Sequence, residues 1–210
     1  MKVLMINGSP HEDGNTALAL AEMTKIFEAE QVDYEIVQVG TKDVRGCIGC
    51  GSCFQNKKCV FDDIVNEIAP KFEEADALVI GSPVYYASAN GTIISLLDRL
   101  FYSTPFDKAG KVGASVVVAR RGGLSATFDE LNKYFTISNM PVASSRYWNS
   151  IHGRAKGEAA GDAEGLSVMR TLARNIVFLC RSIALGKEKY GLPEKEGFHM
   201  TNFIREDLLK

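Results

Sequence analysis

The densest chemical signal in this 210-residue chain is "RGCIGCGSCFQNKKC", in which Cys47, Cys50, Cys53 and Cys59 follow one another as C-x2-C-x2-C-x5-C. Four thiols in so short a stretch can ligate an iron–sulfur cluster, hold zinc, form disulfides or simply line a loop. Three cysteines separated by two residues each can wrap three corners of a cubane cluster, and a fourth thiolate completes the set. Gly46, Gly49 and Gly51 free the intervening backbone to turn around a compact ion. A tetrahedral zinc site usually pairs two C-x2-C hairpins, which this overlapping run fits poorly. A cluster-free loop stays open beside the cluster reading. Cys180, on the apolar stripe of the last helical pattern, reads as buried packing.

A second signal is "GSPHEDGNT", residues 8–16, which leaves an apolar run and enters a helical one. Gly8 and Gly14 permit tight turns, while Ser9, Asn15 and Thr16 offer donors beside a helix N-terminus, whose free N–H groups and positive dipole end favour a phosphate. His11 lies inside the same loop, in reach of that phosphate. The loop lacks both the G-x-G-x-x-G of dinucleotide folds and the G-x-x-x-x-G-K-[ST] of nucleoside triphosphatases, so a mononucleotide is favoured. A third segment, "SPVYYASANGT" at 82–92, offers a flat wall and backbone polar groups for a planar heteroaromatic ring. Core packing is the alternative for its tyrosines. In "ARRGG" at 119–123, Arg120 or Arg121 brings positive charge to the same region, or is a solvated loop arginine.

These segments need a scaffold that brings them together. "KVLMI" (2–6), "DYEIVQV" (33–39), "DALVIGS" (76–82), "KVGASVVVAR" (111–120) and "MPVASSRYW" (140–148) read as strands. Between them the pattern predicts helices, including one over 62–75 capped by Asp62 or Asp63, and a long final one over about 162–186. Near-continuously apolar strands alternating with amphipathic helices predict a parallel sheet covered on both faces. Ligands of such sheets sit beyond the carboxyl ends of the strands, where strand order reverses. The cysteine segment is an irregular insertion, and the Gly-rich patch 153–165 reads as a mobile loop.

The loop "GSPHEDGNT" taken with "GSPVYYASANGTIISLLDRL" resembles the flavodoxin-like NAD(P)H-dependent FMN reductase family over nearly the whole chain. The cysteine spacing resembles the branch of that family formed by the iron–sulfur flavoproteins. The resemblance implies one α/β domain over 1–210: a doubly wound, five-stranded parallel sheet of order 2-1-3-4-5, with the cysteine-rich loop 46–60 after strand two and a C-terminal helix plus tail. It also implies that Ser9, Pro10, His11, Gly14, Asn15 and Thr16 bind the FMN phosphate. Pro83, Val84, Tyr85, Tyr86 and Ala87 would follow the ring and ribityl chain, with Ser88 and Asn90 nearby, and Arg120, Arg121 and Gly122 would flank the flavin. The implied reaction takes hydride from NAD(P)H and passes electrons to a quinone-like or other small acceptor, and no side chain stands out as a catalytic acid or base. The alternative is an electron carrier between ferredoxin and an acceptor, using a [4Fe–4S] cluster on Cys47, Cys50, Cys53 and Cys59.

Related reductases form homodimers or homotetramers in which a neighbour roofs the flavin. Trp148 is either such a roof or, as its strand-end position favours, a core residue. His152 and His199 read as surface residues. The composition agrees with a globular protein, at 46% hydrophobic and 24% charged residues. A net charge of −2 with scattered Lys and Arg offers no basic face for nucleic acid or anionic lipid. No apolar run approaches the roughly 18 residues of a membrane span, and the start lacks a secretory h-region, so the expected compartment is cytoplasmic.

Overall fold

The computed structural model describes residues 1–197. Its strands are β1 (Lys2–Asn7), β2 (Asp33–Gln38), β3 (Ala77–Tyr85), β4 (Ser88–Ala89), β5 (Val112–Ala119) and β6 (Ser150–His152). The helices are α1 (Asn15–Ala29), α2 (Ser52–Asn56), α3 (Ile64–Glu74), α4 (Gly91–Ser103), α5 (Leu124–Ile137) and α6 (Ala163–Tyr190). Five parallel strands lie in the order β2-β1-β3-β5-β6, which is the expected 2-1-3-4-5 winding. The sixth strand, β4, is a two-residue antiparallel addition to the end of β3.

Alternation along the strands divides the core in two. Val3, Met5, Ala77, Val79 and the even-numbered residues of β5 face α1 and α6. Leu4, Ile6, Leu78, Ile80 and Val117 face α3, α4 and α5. Because both faces are covered, β1, β3 and β5 must be apolar at almost every position, and that is why they read so clearly in the sequence. Asp63 caps α3 by accepting a bond from the Val65 N–H at 3.1 Å. Among the described residues no helix is long and apolar enough to cross a membrane.

Four expectations are corrected. The fifth strand is not 140–148: the chain makes only an isolated bridge at Val142, leaves the sheet, and pairs with β5 through Ser150–His152. Ser145 explains the departure, since its hydroxyl bonds the Tyr147 carbonyl at 2.6 Å and so draws the backbone into a local turn. Trp148 is therefore not a core residue but is 55% exposed, edge-on to Tyr147. The patch 153–165 contains a 3-10 helix at Glu158–Gly161 and the first residues of α6, and it is bonded to α1. The cysteine segment likewise contains the short helix α2. His152 is exposed, as expected, and pairs with Asp162 at 3.2 Å. His199 and the tail from 198 lie outside the described residues.

One contact in the core is set by the lack of a side chain. A Cβ on Gly113 would stand 2.3 Å from the Phe135 ring, which is fully buried between β5 and α5. Gly113→Ala is therefore expected to cost about 1–3 kcal/mol through overpacking. A lower urea midpoint at unchanged slope would show it; an unchanged midpoint would mean that Phe135 has room to move.

Candidate functional site

The loops after β1, β3 and β5 meet at the carboxyl edge of the sheet, at the switch point between β1 and β3. They line one cavity of about 480 Å³, a size suited to a cofactor or small ligand. Ser9, His11, Gly14, Asn15 and Thr16 come from the first loop, Pro83, Val84 and Tyr85 from the second, and Arg120 from the third. At its base α1 begins with Gly14 as an extended N-cap, no side chain bonded to the first turn, and no acidic residue in it. Its first N–H groups are thus open toward the cavity, with the positive end of the helix dipole behind them. This is chemistry for an anion.

The first loop is held from below. The Asn7 carboxamide accepts from the Ser9 N–H at 3.0 Å, and the Ser9 hydroxyl accepts from the His11 N–H at 3.1 Å. Gln38 donates to the Ser9 carbonyl at 2.6 Å. The chain leaving β2 then passes under the loop at Gly40, where a Cβ would come within 2.1 Å of the Ser9 carbonyl. Gly40 is a site-building residue that sequence reasoning missed. The signal was a glycine directly after strand two, at the same sheet edge.

Asn15 lines the cavity, as expected of a phosphate-loop residue, and has a structural role besides. Its side chain donates to the Ala155 carbonyl at 2.9 Å and accepts from the Ala159 N–H at 3.1 Å, so it ties the chain after β6 to the top of α1. Gly153 fits beside it, because a Cβ there would stand 2.8 Å from the Asn15 nitrogen. Arg154 and Lys156 thereby reach the cavity, where they join Arg120 and His11. Lys156 pairs with Asp13, holding that carboxyl below its ordinary range by hydrogen bond and charge. The sheet-edge rule, applied to strand five as well as to strands one, three and four, would have found this segment.

The second loop is a hairpin whose two-residue tip, Tyr86 and Ala87, has φ of 53° and 60°. That is type I′ geometry, usually made by Asn-Gly. Tyr86 is fully exposed and Ala87 also lies off the cavity lining. Ser88 donates to the Glu130 carboxylate at 2.9 Å, and the Ala89 N–H donates to it at 2.8 Å. Asn90 is buried as the cap of α4, accepting from the Thr92 N–H at 2.8 Å. Pro10, Arg121 and Gly122 do not line the cavity. Its neighbour Gly123 matters more, at φ 88°, since a Cβ there would meet Ala87 at 2.8 Å.

The four clustered cysteines line a separate, narrow cavity of about 20 Å³ with Phe61, Arg99 and Tyr102. Its donor set suits a four-thiolate cluster in kind and number. Yet among the described residues no three His, Cys, Asp or Glu side chains are gathered closely enough to share a metal ion. Cys47 and Cys50 are exposed, and the Cys53 thiol lies 3.9 Å from the Tyr102 carbonyl. Cys59 accepts from the Arg99 guanidinium at 3.2 and 3.3 Å. Arg99 is 1% exposed. Burial works against its charge, but the bonds to Asp63 and Cys59 prevail and raise its pKa.

The NADPH-dependent FMN reductase family matches residues 1–154 of the chain. An iron–sulfur flavoprotein of Methanocaldococcus jannaschii is 33% identical over 194 residues, spanning 87% of this chain and 99% of that protein. The solved structure of RosB with the bound intermediate 8-demethyl-8-formylriboflavin 5′-phosphate has a TM-score of 0.67 at 15% identity, over 98% of this chain and 93% of that one. A flavodoxin from the domain Archaea has a TM-score of 0.54 at 14% identity, over 88% and 99%. The chain belongs to the NADPH-dependent FMN reductase family, in its iron–sulfur flavoprotein branch, with a flavodoxin-like fold. It is an FMN flavoprotein oxidoreductase.

Two outcomes follow from the geometry. Asn15→Ala leaves the Ala155 and Ala159 backbone groups without their partner, at a cost of about 1–3 kcal/mol, and amide exchange at Ala159 should accelerate. Unchanged exchange there would remove Asn15 as the tie. Thiol alkylation at pH 8 should label exposed Cys47 and Cys50 and spare Cys180, whose thiol burial and the nearby Asp76 push up to about 12. Early labelling of Cys180 would contradict its burial.

Proposed function

We infer that the cavity at the sheet edge is the FMN site, and that the protein takes hydride from NAD(P)H and delivers electrons to a quinone-like or other small acceptor. The observation that carries this reading is the open N-terminus of α1, with no acidic residue in its first turn and Asp13 beside it paired with Lys156, at the base of a cavity of about 480 Å³. When bound, FMN supplies hydride acceptance and the release of electrons singly or in pairs. Thr16, buried at the first turn, and the backbone N–H groups around it hold the phosphate. Pro83, Val84 and Tyr85 form the wall along which the ring lies. Arg120 places positive charge at the cavity, which favours a reduced flavin that carries negative charge. Arg154 and Lys156 extend that positive rim.

A second reading is an electron carrier supplied by ferredoxin, and the cavity shared by four cysteines favours it. In that reading Cys47, Cys50, Cys53 and Cys59 hold a [4Fe–4S] cluster, which exchanges single electrons. Both readings include assembly as a homodimer or homotetramer, supported by the exposed aromatic pair Tyr147 and Trp148 beside the edge strand β6.

Thr16→Val should weaken FMN binding by about 1–3 kcal/mol through loss of a charge-assisted bond, measured by quenching of flavin fluorescence. Equal affinity would take Thr16 out of the site. Stopped-flow mixing of the holoprotein with NADH and with NADPH should bleach the oxidised flavin band. Reduction by ferredoxin alone, with neither nucleotide effective, would establish the carrier in place of the reductase.

A further inference from the structure

Cys59 is anchored differently from the other three cysteines of its segment. Its backbone N–H donates to the Asn66 carboxamide at 3.1 Å, and its carbonyl accepts from the same carboxamide at 3.1 Å. Its sulfur accepts two bonds, from Arg99 Nε at 3.3 Å and Nη2 at 3.2 Å. The guanidinium is itself oriented by Asp63, with Nη1 at 2.7 Å from Oδ2 and Nη2 at 2.9 Å from Oδ1. Asp63 is in turn fixed as the cap of α3. Arg99 stands on α4, whose Leu96, Leu97 and Leu100 are fully buried, so this assembly is bolted to the core. A further bond from Nη1 to the Arg45 carbonyl at 3.2 Å holds the other end of the cysteine segment.

Cys47 and Cys50, by contrast, are exposed on a stretch whose Gly49 and Gly51 adopt φ of 65° and 69°. One corner of a four-sulfur site is therefore built into the scaffold, Cys53 is carried on the short helix α2, and Cys47 and Cys50 sit on backbone that is free to turn. The built corner turns two guanidinium N–H groups to the sulfur, while Asp63 balances the charge of Arg99 from the other side. A cluster on four thiolates is anionic, and its potential depends on net charge, burial and hydrogen bonds to sulfur. A buried guanidinium that donates twice to a ligand sulfur stabilises the more negative, reduced state.

We propose that Arg99 is a positioning residue for a [4Fe–4S] cluster: it presents the Cys59 sulfur as the pre-set corner of the ligand set and raises the midpoint potential through its two N–H···S bonds. The proposal rests on the reading of Cys47, Cys50, Cys53 and Cys59 as cluster ligands. Lysine in place of Arg99 keeps the charge but loses the planar fork that serves sulfur and carboxylate together. Arg99→Met combined with Asp63→Asn removes both charges, so that no half-buried carboxylate is left without its partner, while Asn can still cap α3.

The test uses the full chain, reconstituted anaerobically with ferrous iron and sulfide, and compares it with Arg99→Lys and with the Arg99→Met/Asp63→Asn pair. Iron and sulfide content, resistance to a chelator, the midpoint potential and FMN affinity are measured on each. Both variants should show a lower potential and a cluster affinity reduced about 10–100-fold, the range for loss of an outer-shell partner. FMN affinity should not change. Iron lost from both variants with FMN affinity intact also supports the proposal. A cluster in both variants at the unaltered potential overturns it and leaves the ligand reading standing. Loss of FMN affinity together with iron in both variants overturns it too, since Arg99 would then serve the fold. No iron in the unmutated chain overturns the ligand reading and this proposal with it.

Discussion

The carboxyl edge of the sheet depends on three backbones passing closer than side chains allow. The Gly8 N–H bonds the Gly81 carbonyl at 2.8 Å, which extends the β1–β3 ladder to the point where the strands part. A Cβ on Gly81 would press on the Thr16 methyl group at 3.0 Å, and one on Gly40 would strike Ser9 at 2.1 Å. Glycine at these positions lets the first loop rest on β3 and on the chain leaving β2. The start of α1 is thereby set over the switch point with its N–H groups turned to the cavity. Every later feature of the site, including the bonds from Asn15 to the segment after β6, is built on that placement.

A second, independent set of constraints holds the cysteine segment. Burying the Arg99 guanidinium has a desolvation cost that its attraction to the half-buried Asp63 offsets only when the remaining donors are also satisfied. Here the other guanidinium N–H groups find the Cys59 sulfur and the Arg45 and Phe61 carbonyls, and the Phe61 ring lies 5.0 Å from the guanidinium carbon. Sulfur is a weak acceptor, so its presence in this network reflects position as much as strength. The pair reaches from α4 to the cap of α3, and thus joins an irregular segment to regular structure.

The central strands were legible because burial on both faces requires apolar residues at nearly every position, as in "KVLMI" and "SVVVA". The three loops were legible because the winding order dictates which strand ends share an edge. The fifth strand was not, since Ser144, Ser145 and Arg146 interrupt a pattern that resumes for only three residues at Ser150. Asn90 and Asn15 show a related limit. Asn90 caps α4 through the Thr92 N–H, two residues on, while Asn15 on α1 bonds the Ala155 carbonyl and the Ala159 N–H, 140 and 144 residues away in sequence. The Arg99 network escaped notice for the same reason: an arginine on an amphipathic helix gives no sign that it is turned inward.

The hairpin tip shows how the scaffold sustains an unfavourable local conformation next to the cavity wall. Two successive non-glycine residues at positive φ each cost on the order of 1–3 kcal/mol, and neither Tyr86 nor Ala87 lies in the cavity to recover that cost by direct contact. The conformation persists because its flanks are over-determined. Glu130 on α5 accepts from both the Ser88 hydroxyl and the Ala89 N–H, Ser82 accepts from the Asn90 N–H at 3.0 Å, and Gly123 closes against Ala87 where no Cβ would fit. The strand entering the turn is thus held straight through Pro83, Val84 and Tyr85. A wall fixed before any ligand arrives needs little ordering on binding, so the strain at the tip is set against a lower entropic cost at the cavity.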